Sequence, residues 1–238
     1  MARTKTAVIT GSTSGIGAAV AQALSAQGMR VYLSGRNATK LAALARRIPA
    51  RRLAGCAVAD LRSLAQVKAL LQRIQRTLPR IDVLVHCAGE HRWTAPDSPD
   101  SEAFAALFEL NVRAPYLLTH GLTPQLARAK GLVIFLNSSV VRGSGEGVAL
   151  YKASRHALQG FTDSMRQELN RRGIRVSSVF PGRTATPRMR RIYAHERRPY
   201  KPGALLSPQA VAQVVLALST LPARAEITDV HLRSATPY

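Results

Sequence analysis

The stretch that decides the fold is TAVITGSTSGIG, which occupies residues 6–17. Residues 6–10 favour a β-strand, the glycine-containing segment 11–17 follows at once, and an alanine-rich helical pattern covers residues 18–27 before Gly28 stops it. A strand, a glycine turn and a helix in this order are typical of the start of a βαβ unit. The stretch therefore predicts an α/β fold.

The three glycines of this turn also indicate a ligand. Gly11 permits the sharp turn, Gly15 lets a pyrophosphate approach the backbone, and Gly17 lets the helix pack on the strand. The helix N-terminus then offers unpaired N–H groups to phosphate oxygens. The spacing is Gly-x-x-x-Gly-x-Gly, not the usual Gly-x-Gly-x-x-Gly of dinucleotide sites, so an ordinary βα turn is the alternative. The context favours a dinucleotide site.

The rest of the chain repeats the alternation of strand and helix. Further strand patterns cover residues 30–34, 53–58, 81–86, 131–136, 174–180 and 226–232. Further helical patterns cover residues 38–48, 64–78, 103–126, 151–170 and 208–221. Such alternation with short connections specifies a parallel sheet with helices on both faces. The prediction is a single Rossmann-like domain, residues 1–238, with a doubly wound sheet of about seven strands.

Composition limits the class of protein. The 238 residues, 46% of them hydrophobic, suffice for one large domain with a full core. No apolar run approaches the roughly 18–20 residues of a membrane span, and no signal peptide is recognisable. Cys56 and Cys87 form no metal pattern, and the six histidines have no ligand spacing. We expect a cytoplasmic protein with no metal site and no membrane association.

The formal net charge of +21 is the unusual feature of the composition. It is compatible with a nucleic acid or another polyanionic partner. The basic residues are, however, spread through the helical patterns, without a basic tail or a zinc-finger spacing. Coding bias of the source genome, anionic substrates and acidic carrier proteins are alternative explanations, and nucleic acid is the least favoured.

Tyr151 and Arg155 form a candidate catalytic pair at the start of a helical pattern. Residues four apart lie on one face of a helix, so the phenol and the guanidinium can point into the same space. A fixed cation favours the phenolate and lowers the phenol pKa from about 10, as a general acid or base requires. A surface pair on an amphipathic helix is the alternative.

Arg36 bears on the choice of cofactor. Dinucleotide folds place an acidic residue at the end of the second strand to hold the ribose hydroxyls, but this chain has none there. Arg36 can instead pair with a ribose 2′-phosphate, which favours NADP(H) over NAD(H). A solvated arginine at the start of a loop is the alternative.

Seven short motifs together resemble the short-chain dehydrogenase/reductase family over residues 6–232. They are Thr10-Gly11-x-x-x-Gly15-Ile16-Gly17, Asp60-Leu61, Ala88-Gly89, Leu110-Asn111-Val112, Asn137-Ser138-Ser139, Tyr151-x-x-x-Arg155 and Pro181-Gly182. Each motif is weak alone, but their order and spacing are highly specific. The resemblance implies NADPH-dependent reduction of a ketone, aldehyde, quinone or oxoacyl group by hydride transfer.

The resemblance also implies roles for individual residues. Tyr151 would donate the proton, Arg155 would hold the nicotinamide ribose, and Asn111 would bend its helix and hold a water through its backbone. Ser139, twelve residues before Tyr151, would be the catalytic hydroxyl, with Ser138 as the alternative. The implied cofactor-binding residues are Gly11, Ser12, Ser14, Gly15, Ile16, Gly17, Arg36, Asp60, Leu61, Ala88, Gly89, Asn111, Tyr151, Arg155, Pro181, Gly182, Thr184 and Thr186.

Residues 186–206 are predicted to form a substrate lid by the same resemblance. The basic lid residues are Arg188, Arg190, Arg191, Arg197, Arg198 and Lys201. They suggest an anionic or carrier-bound substrate, although a solvated basic loop is the favoured explanation. The family assembles as homodimers or homotetramers through the helices that contain Asn111 and Tyr151. The row Ala157, Phe161 and Met165 fits such an interface but also fits a core.

Two departures from the family pattern qualify the prediction. The family has Lys where this chain has Arg155, and Asn where this chain has Cys87. Arginine keeps the charge but is longer, planar and never deprotonated, so an active but slow reductase is expected. The alternatives are an NADP(H)-binding sensor or scaffold without turnover and, less favoured, a nucleic-acid-binding protein on the same fold.

Overall fold

The computed structural model describes residues 3–95, 97–143 and 145–236. Its strands are β1 (Thr6–Thr10), β2 (Arg30–Gly35), β3 (Leu53–Val58), β4 (Val83–His86), β5 (Leu132–Leu136), β6 (Arg175–Pro181) and β7 (Asp229–Leu232). Its helices are α1 (Gly15–Ala26), α2 (Ala38–Arg47), α3 (Leu64–Thr77), α4 (Ser101–Phe108), α5 (Ala114–Ala129), α6 (Ala149–Asn170), α7 (Pro187–His195) and α8 (Pro208–Thr220).

The described strands form a seven-stranded parallel sheet in the order β3-β2-β1-β4-β5-β6-β7. The prediction of a doubly wound Rossmann-like domain is therefore confirmed. The strand order reverses between β1 and β4, and in such sheets ligands bind beyond the carboxyl ends of the strands at this point. Among the helices that the structure describes, none combines the length and apolar character that crossing a bilayer would require.

Two apolar cores cover the two faces of the sheet. In β1, Val8 packs into the core that includes side chains of α3, α5 and α6, whereas Ala7 and Ile9 pack into the core that includes side chains of α1, α2 and α8. Alternate residues of a strand point to opposite faces, so both sets must be apolar when both faces are covered. This explains why central strands such as β5, LVIFL, are continuous apolar runs in the sequence.

Two helices differ from their predicted form. The first begins at Gly15, not at residue 18, so two of the three turn glycines lie inside it. The predicted helix over residues 103–126 is divided into α4 and α5 by a π-helical segment, Glu109–Arg113. Asn111 lies in this segment, and such bulges are common at functional sites. The helix is thus interrupted at Asn111, where the family resemblance implied a local bend.

The apolar row on α6 faces mainly inward. Met165 belongs to the core, and Phe161 packs against that core. Of the two interpretations of this row, the structure supports core packing for these two residues.

His86, at the end of β4, provides a test of this packing. Its side chain is 2% exposed, its Nε2 lies 2.9 Å from the Thr119 hydroxyl, and burial lowers its pKa to about 3. Between pH 6.5 and pH 4, His86 is protonated in the unfolded chain and neutral in the folded protein. This histidine should therefore lower the free energy of unfolding by about 1.4 kcal/mol per pH unit as the pH falls through that window.

The measurement is urea unfolding at several pH values for the parent and for His86→Gln. We expect the variant to lose stability less steeply below pH 6.5, because glutamine does not titrate. His156→Gln, which changes an exposed histidine, is the control and should keep the parent's slope. Equal slopes for the parent and His86→Gln would contradict the assignment.

Candidate active site

The glycine turn lies against the loop that follows β4. Gly11 has φ +63°, and a Cβ atom placed on it would lie 2.6 Å from the Ala88 Cα. A Cβ atom on Gly17 would overlap the Gly11 carbonyl oxygen, so no larger residue fits there. Thr186, from the loop after β6, lies over Gly15, with its Cγ2 3.0 Å from where a Cβ would be. The carboxyl ends of β1, β4 and β6 thus meet in one crevice.

The first turn of α1 is suited to bind phosphate. Its N-cap residue, Ser14, makes no side-chain capping hydrogen bond. By contrast, α2, α3, α4, α7 and α8 each have a side chain that accepts a hydrogen bond from the first turn. Uncapped N–H groups at a helix N-terminus bind anions. The turn therefore fits the diphosphate of a dinucleotide.

Other residues of the predicted cofactor site lie in or near the glycine turn or at the carboxyl ends of β2 and β3, and their side chains have different surroundings. The Ser12 hydroxyl donates to the Ser34 carbonyl, and Ser14 is exposed. Ile16 packs against the core that contains side chains of α1, α2 and α8, whereas Leu61 is buried in the core on the other face of the sheet. Arg36 is exposed just after β2.

Asp60 lies beyond the end of β3 and is already paired. Its carboxylate accepts hydrogen bonds from the Arg62 Nε at 3.0 and 3.1 Å. The hydrogen bond from Arg62 lowers the pKa of Asp60, against the raising effect of burial. The structure therefore holds this carboxylate ionised.

The loop after β6 uses its hydroxyls locally. Pro181 ends β6, and the Thr184 hydroxyl donates to the Gly182 carbonyl at 2.9 Å. The Thr186 hydroxyl caps α7 by accepting from the Met189 N–H. The predicted contact between Thr186 and a nicotinamide stays a prediction.

Tyr151 and Arg155 are buried, so the structure does not support the alternative of a surface pair. Their side chains are 8% and 2% exposed, and the Arg155 guanidinium carbon lies 5.1 Å from the centre of the Tyr151 ring. Arg155 Nη1 donates to the Leu136 carbonyl at 3.2 Å, and Nη2 donates to the Asn111 Oδ1 at 3.3 Å. The cation is thus fixed beside the phenol.

The environment of Tyr151 lowers its pKa. Burial of the phenol raises the pKa, but the Arg155 and Arg188 guanidinium groups and the Ser138 hydroxyl lower it, and the net direction is downward from 10.0. A proton donor whose pKa moves toward neutrality is suited to general acid–base catalysis. Tyr151 therefore has both the position and the proton affinity for that chemistry.

Ser138, not the predicted Ser139, interacts with Tyr151. The Ser138 hydroxyl faces the phenol as a hydrogen-bonding neighbour and also accepts from the Val140 N–H at 3.3 Å. Ser139 begins the 3₁₀ turn Ser139–Arg142 and is exposed. The backbone of Ser138 is still extended, whereas the turn that starts at Ser139 rotates the next side chain outward. Of the two serines named as candidates, the structure therefore brings Ser138 and not Ser139 to the phenol, and a catalytic role for Ser138 stays a prediction.

Asn111 connects the π-helical segment to the site. It is fully buried, and its side-chain amide donates to the Glu90 carbonyl at 3.2 Å and to the Ser154 hydroxyl at 3.0 Å. Its Oδ1 accepts from the Glu90 N–H at 3.0 Å as well as from Arg155. Asn111 therefore fixes the loop after β4 and the guanidinium of Arg155 together.

Arg188 was not predicted as an active-site residue. It lies in the first turn of α7, is partly buried, and its Nη2 donates to the Gly89 carbonyl. Burial lowers the pKa of Arg188, and among nearby charges Tyr151 raises it and Arg155 lowers it. The sequence identified it only as one of six basic lid residues. Nothing in its spacing separates it from Arg190 and Arg191, both exposed.

Aromatic side chains next to Tyr151 form a second feature that the sequence did not reveal. The His91 ring centre lies 4.8 Å from that of Tyr151 and 4.5 Å from that of Trp93. Trp93 stacks on His195 of α7 at 3.8 Å, which joins the loop after β4 to the predicted lid. Burial, followed by the charge of Arg188, lowers the pKa of His91 to about 4. The imidazole is therefore neutral at pH 7.

Comparisons with known proteins agree with this geometry. Residues 5–197 match the family model described as short chain dehydrogenase. An uncharacterised oxidoreductase of Staphylococcus saprophyticus is 33% identical over 77% of this chain and 80% of its own length. A 3-oxoacyl-[acyl-carrier-protein] reductase of Synechocystis sp. is 33% identical over 93% of this chain and 92% of its own.

A solved structure is similar along nearly the whole chain. It is a metagenomic short-chain oxidoreductase in complex with NADP, with a TM-score of 0.82, 30% identity and 98% of each chain covered. The family model alone covers most of the 238 residues, and the fold and the NADP-binding architecture agree with it. The chain therefore belongs to the short-chain dehydrogenase/reductase family of oxidoreductases.

Proposed function

We propose that this oxidoreductase reduces a carbonyl group to an alcohol with NADPH, and that Tyr151 donates the proton. The observation that carries the proposal is the buried phenol of Tyr151, held between the Arg155 guanidinium and the Ser138 hydroxyl at the carboxyl edge of the sheet. Bound NADPH supplies the hydride and is oxidised to NADP⁺. The carbonyl carbon gains that hydride, and its oxygen gains the Tyr151 proton.

Ser138 would stabilise the carbonyl oxygen as negative charge develops on it. A hydroxyl that faces the phenol can donate to the same oxygen that receives the phenol proton. The resulting phenolate is stabilised by the fixed charge of Arg155 until solvent returns a proton. Asn111 is a positioning residue, because its Oδ1 holds the Arg155 guanidinium in this orientation.

The experiment is a screen of NADPH oxidation with ketones, aldehydes, quinones, oxo acids and oxoacyl thioesters. The parent and Arg155→Lys are compared, since lysine keeps the charge at this position. We expect oxidation of NADPH with at least one class, accompanied by an equal amount of alcohol. The absence of NADPH oxidation by both proteins with every class would refute the proposal.

An NADP(H)-binding sensor without turnover is a second candidate, and one observation favours it. Both terminal nitrogens of Arg155 are engaged with protein oxygens, which competes with a role in holding a ribose. A sensor would bind NADPH tightly, measured by fluorescence titration, yet reduce no carbonyl even as Arg155→Lys. Turnover by either protein would exclude it.

Arg36 is proposed to select NADPH over NADH. It lies 3.6 Å from Glu90 Oε2 in a partly exposed ion pair, which is worth little and is easily exchanged for a 2′-phosphate. Arg36→Gln should raise the KM for NADPH about 10- to 100-fold, the size of one charge-assisted hydrogen bond. The KM for NADH should change less than about threefold. Arg47→Gln, an exposed arginine of α2, is the control.

An equal effect of Arg36→Gln on both cofactors would show that the arginine does not read the 2′-phosphate.

We further propose that residues 186–206 act as the substrate lid. The stacking of Trp93 on His195 supports this, because it brings α7 over the loop beside Tyr151. A cytoplasmic homodimer or homotetramer remains the proposed form of the protein. Phe104 and Tyr116, 48% and 44% exposed on α4 and α5, support an interface on those helices.

A further inference from the structure

Two guanidinium groups converge beside Tyr151 without an acidic partner. Arg155 Nη2 fills the place that a Cβ atom on Gly89 would occupy, and Arg188 donates to the Gly89 carbonyl. Within the described residues, neither forms an ion pair with a carboxylate, and the charge of Glu90 acts on Arg188 only from beyond ion-pair distance. Withdrawing two like charges from water without a directly paired carboxylate is unfavourable. An anion that enters this space would offset that cost.

Arg188 differs in this respect from other basic residues of the segment. Arg183 and Arg198 lie 2.7 and 3.7 Å from Glu196, so both have a carboxylate partner within the protein. Arg190 and Arg191 are exposed to water. Arg188 is the lid arginine that is turned toward Tyr151.

His91 supplies a second polar group on the same side of Tyr151. Its Nδ1 is buried and has no hydrogen-bond partner in the described part of the chain. Its ring contacts that of Tyr151, and Arg188 is among the charges that act on it. A buried polar atom without a partner is costly, so a ligand oxygen at this position would satisfy it.

We propose that Arg188 and His91 bind an anionic oxygen group of the substrate, most simply the carboxylate of an oxo acid whose carbonyl is reduced at Tyr151. This inference rests on the proposed function and specifies its substrate class. Arg188 presents paired N–H groups that can donate two hydrogen bonds to a carboxylate, and the neutral His91 ring can donate one more. When substrate binds, the Arg188 guanidinium donates to the anion in place of the Gly89 carbonyl.

The kinetic test compares each acid with its uncharged ester. The pairs are acetoacetate with methyl acetoacetate, and pyruvate with methyl pyruvate. For the parent we expect kcat/KM to favour the acid in at least one pair. Arg188→Gln should lower this acid-to-ester ratio about 10- to 100-fold, whereas Arg47→Gln, which changes an exposed arginine of α2, should leave it unchanged. Any effect of Arg188 on the pKa of Tyr151 changes kcat/KM for the acid and for the ester alike, so it cancels in the acid-to-ester ratio.

Different results overturn different parts of the proposal. A ratio that stays the same in Arg188→Gln, with activity retained on both members, refutes the carboxylate site while the reductase stands. A raised KM for NADPH in Arg188→Gln, with an unchanged acid-to-ester ratio, also refutes the carboxylate site and shows that Arg188 binds the cofactor. No turnover by the parent with any carbonyl compound refutes the proposed function instead.

A binding experiment tests the site without turnover. Trp93 is the one tryptophan of the chain, and it contacts His91. Its fluorescence reports binding of malonate, a carboxylate that cannot be reduced, to the protein saturated with NADP⁺. We expect malonate to bind the parent and Arg47→Gln, and to bind Arg188→Gln at least about tenfold more weakly. Equal binding by all three, or no binding by the parent, would contradict the inference.

Discussion

Tyr151→Phe is expected to lower kcat for carbonyl reduction by about 10²- to 10⁴-fold, the usual contribution of a general acid. Phenylalanine keeps the ring, which contacts His91 and the Arg155 guanidinium, and removes only the hydroxyl that donates the proton. The affinity for NADPH should change less than about threefold, because the glycine turn and Arg36 are untouched. The measurement is steady-state turnover on the best substrate together with fluorescence titration of NADPH.

A control separates the chemistry of Tyr151 from its packing. Tyr116→Phe removes the hydroxyl of a 44% exposed tyrosine and should leave kcat unchanged. If Tyr151→Phe retained more than about a tenth of the parent's kcat, the proton would have to come from another group.

Arg155→Met is expected to shift the pH dependence of alcohol oxidation upward by at least about one unit. Oxidation requires the ionised phenol, and the Arg155 cation lowers the pKa of Tyr151 against the effect of burial. Without that cation the pKa of Tyr151 rises, and a higher pH is needed to ionise the phenol. We expect kcat at pH 7.5 to fall about tenfold or more, since each unit of pKa changes the ionised fraction tenfold.

Arg155→Lys distinguishes charge from shape at this position. Lysine keeps the cation, so its pH profile should stay within about half a unit of the parent's. Thermal unfolding of both variants shows whether loss of the hydrogen bonds to Leu136 and Asn111 has destabilised the fold. If the pH profile of Arg155→Lys were shifted upward as far as that of Arg155→Met, the positive charge at residue 155 would not be the cause of the lowered Tyr151 pKa.

The fold was predictable because local patterns and packing agree. Buried parallel strands must be apolar on both faces, and β5 is accordingly an uninterrupted apolar run. The helix predicted over residues 208–221 begins at Pro208, and Ser207 caps it. The family resemblance implied a local bend at Asn111, whereas periodicity alone predicts one continuous helix there.

The candidate site was predictable where backbone geometry determines it. The glycine turn is the clearest case, because Gly11 and Gly17 leave no room for a Cβ atom. The sequence favoured Ser139 with Ser138 as the alternative, and the structure places Ser138 beside Tyr151. Two adjacent serines after a strand satisfy the same pattern, and only the start of the 3₁₀ turn determines which one faces Tyr151.

Tertiary contacts that leave no periodic signal were missed. Arg188 and its exposed neighbours are the same residue type in the same short helix, and only packing against Gly89 distinguishes them. His91 lies in an irregular loop, where no spacing rule applies. Its contact with Tyr151 arises because Asn111 fixes that loop through Glu90.

The most direct test of hydride transfer with Tyr151 as proton donor uses NADPH carrying deuterium at both C4 positions of the nicotinamide. The carbonyl panel is incubated with the parent and with Tyr151→Phe, and the alcohols are analysed by mass spectrometry. We expect one deuterium on the carbinol carbon of the parent's product and at most about a hundredth of that yield from Tyr151→Phe. A parent that binds NADPH but forms no deuterated alcohol, or a variant as productive as the parent, would contradict the mechanism.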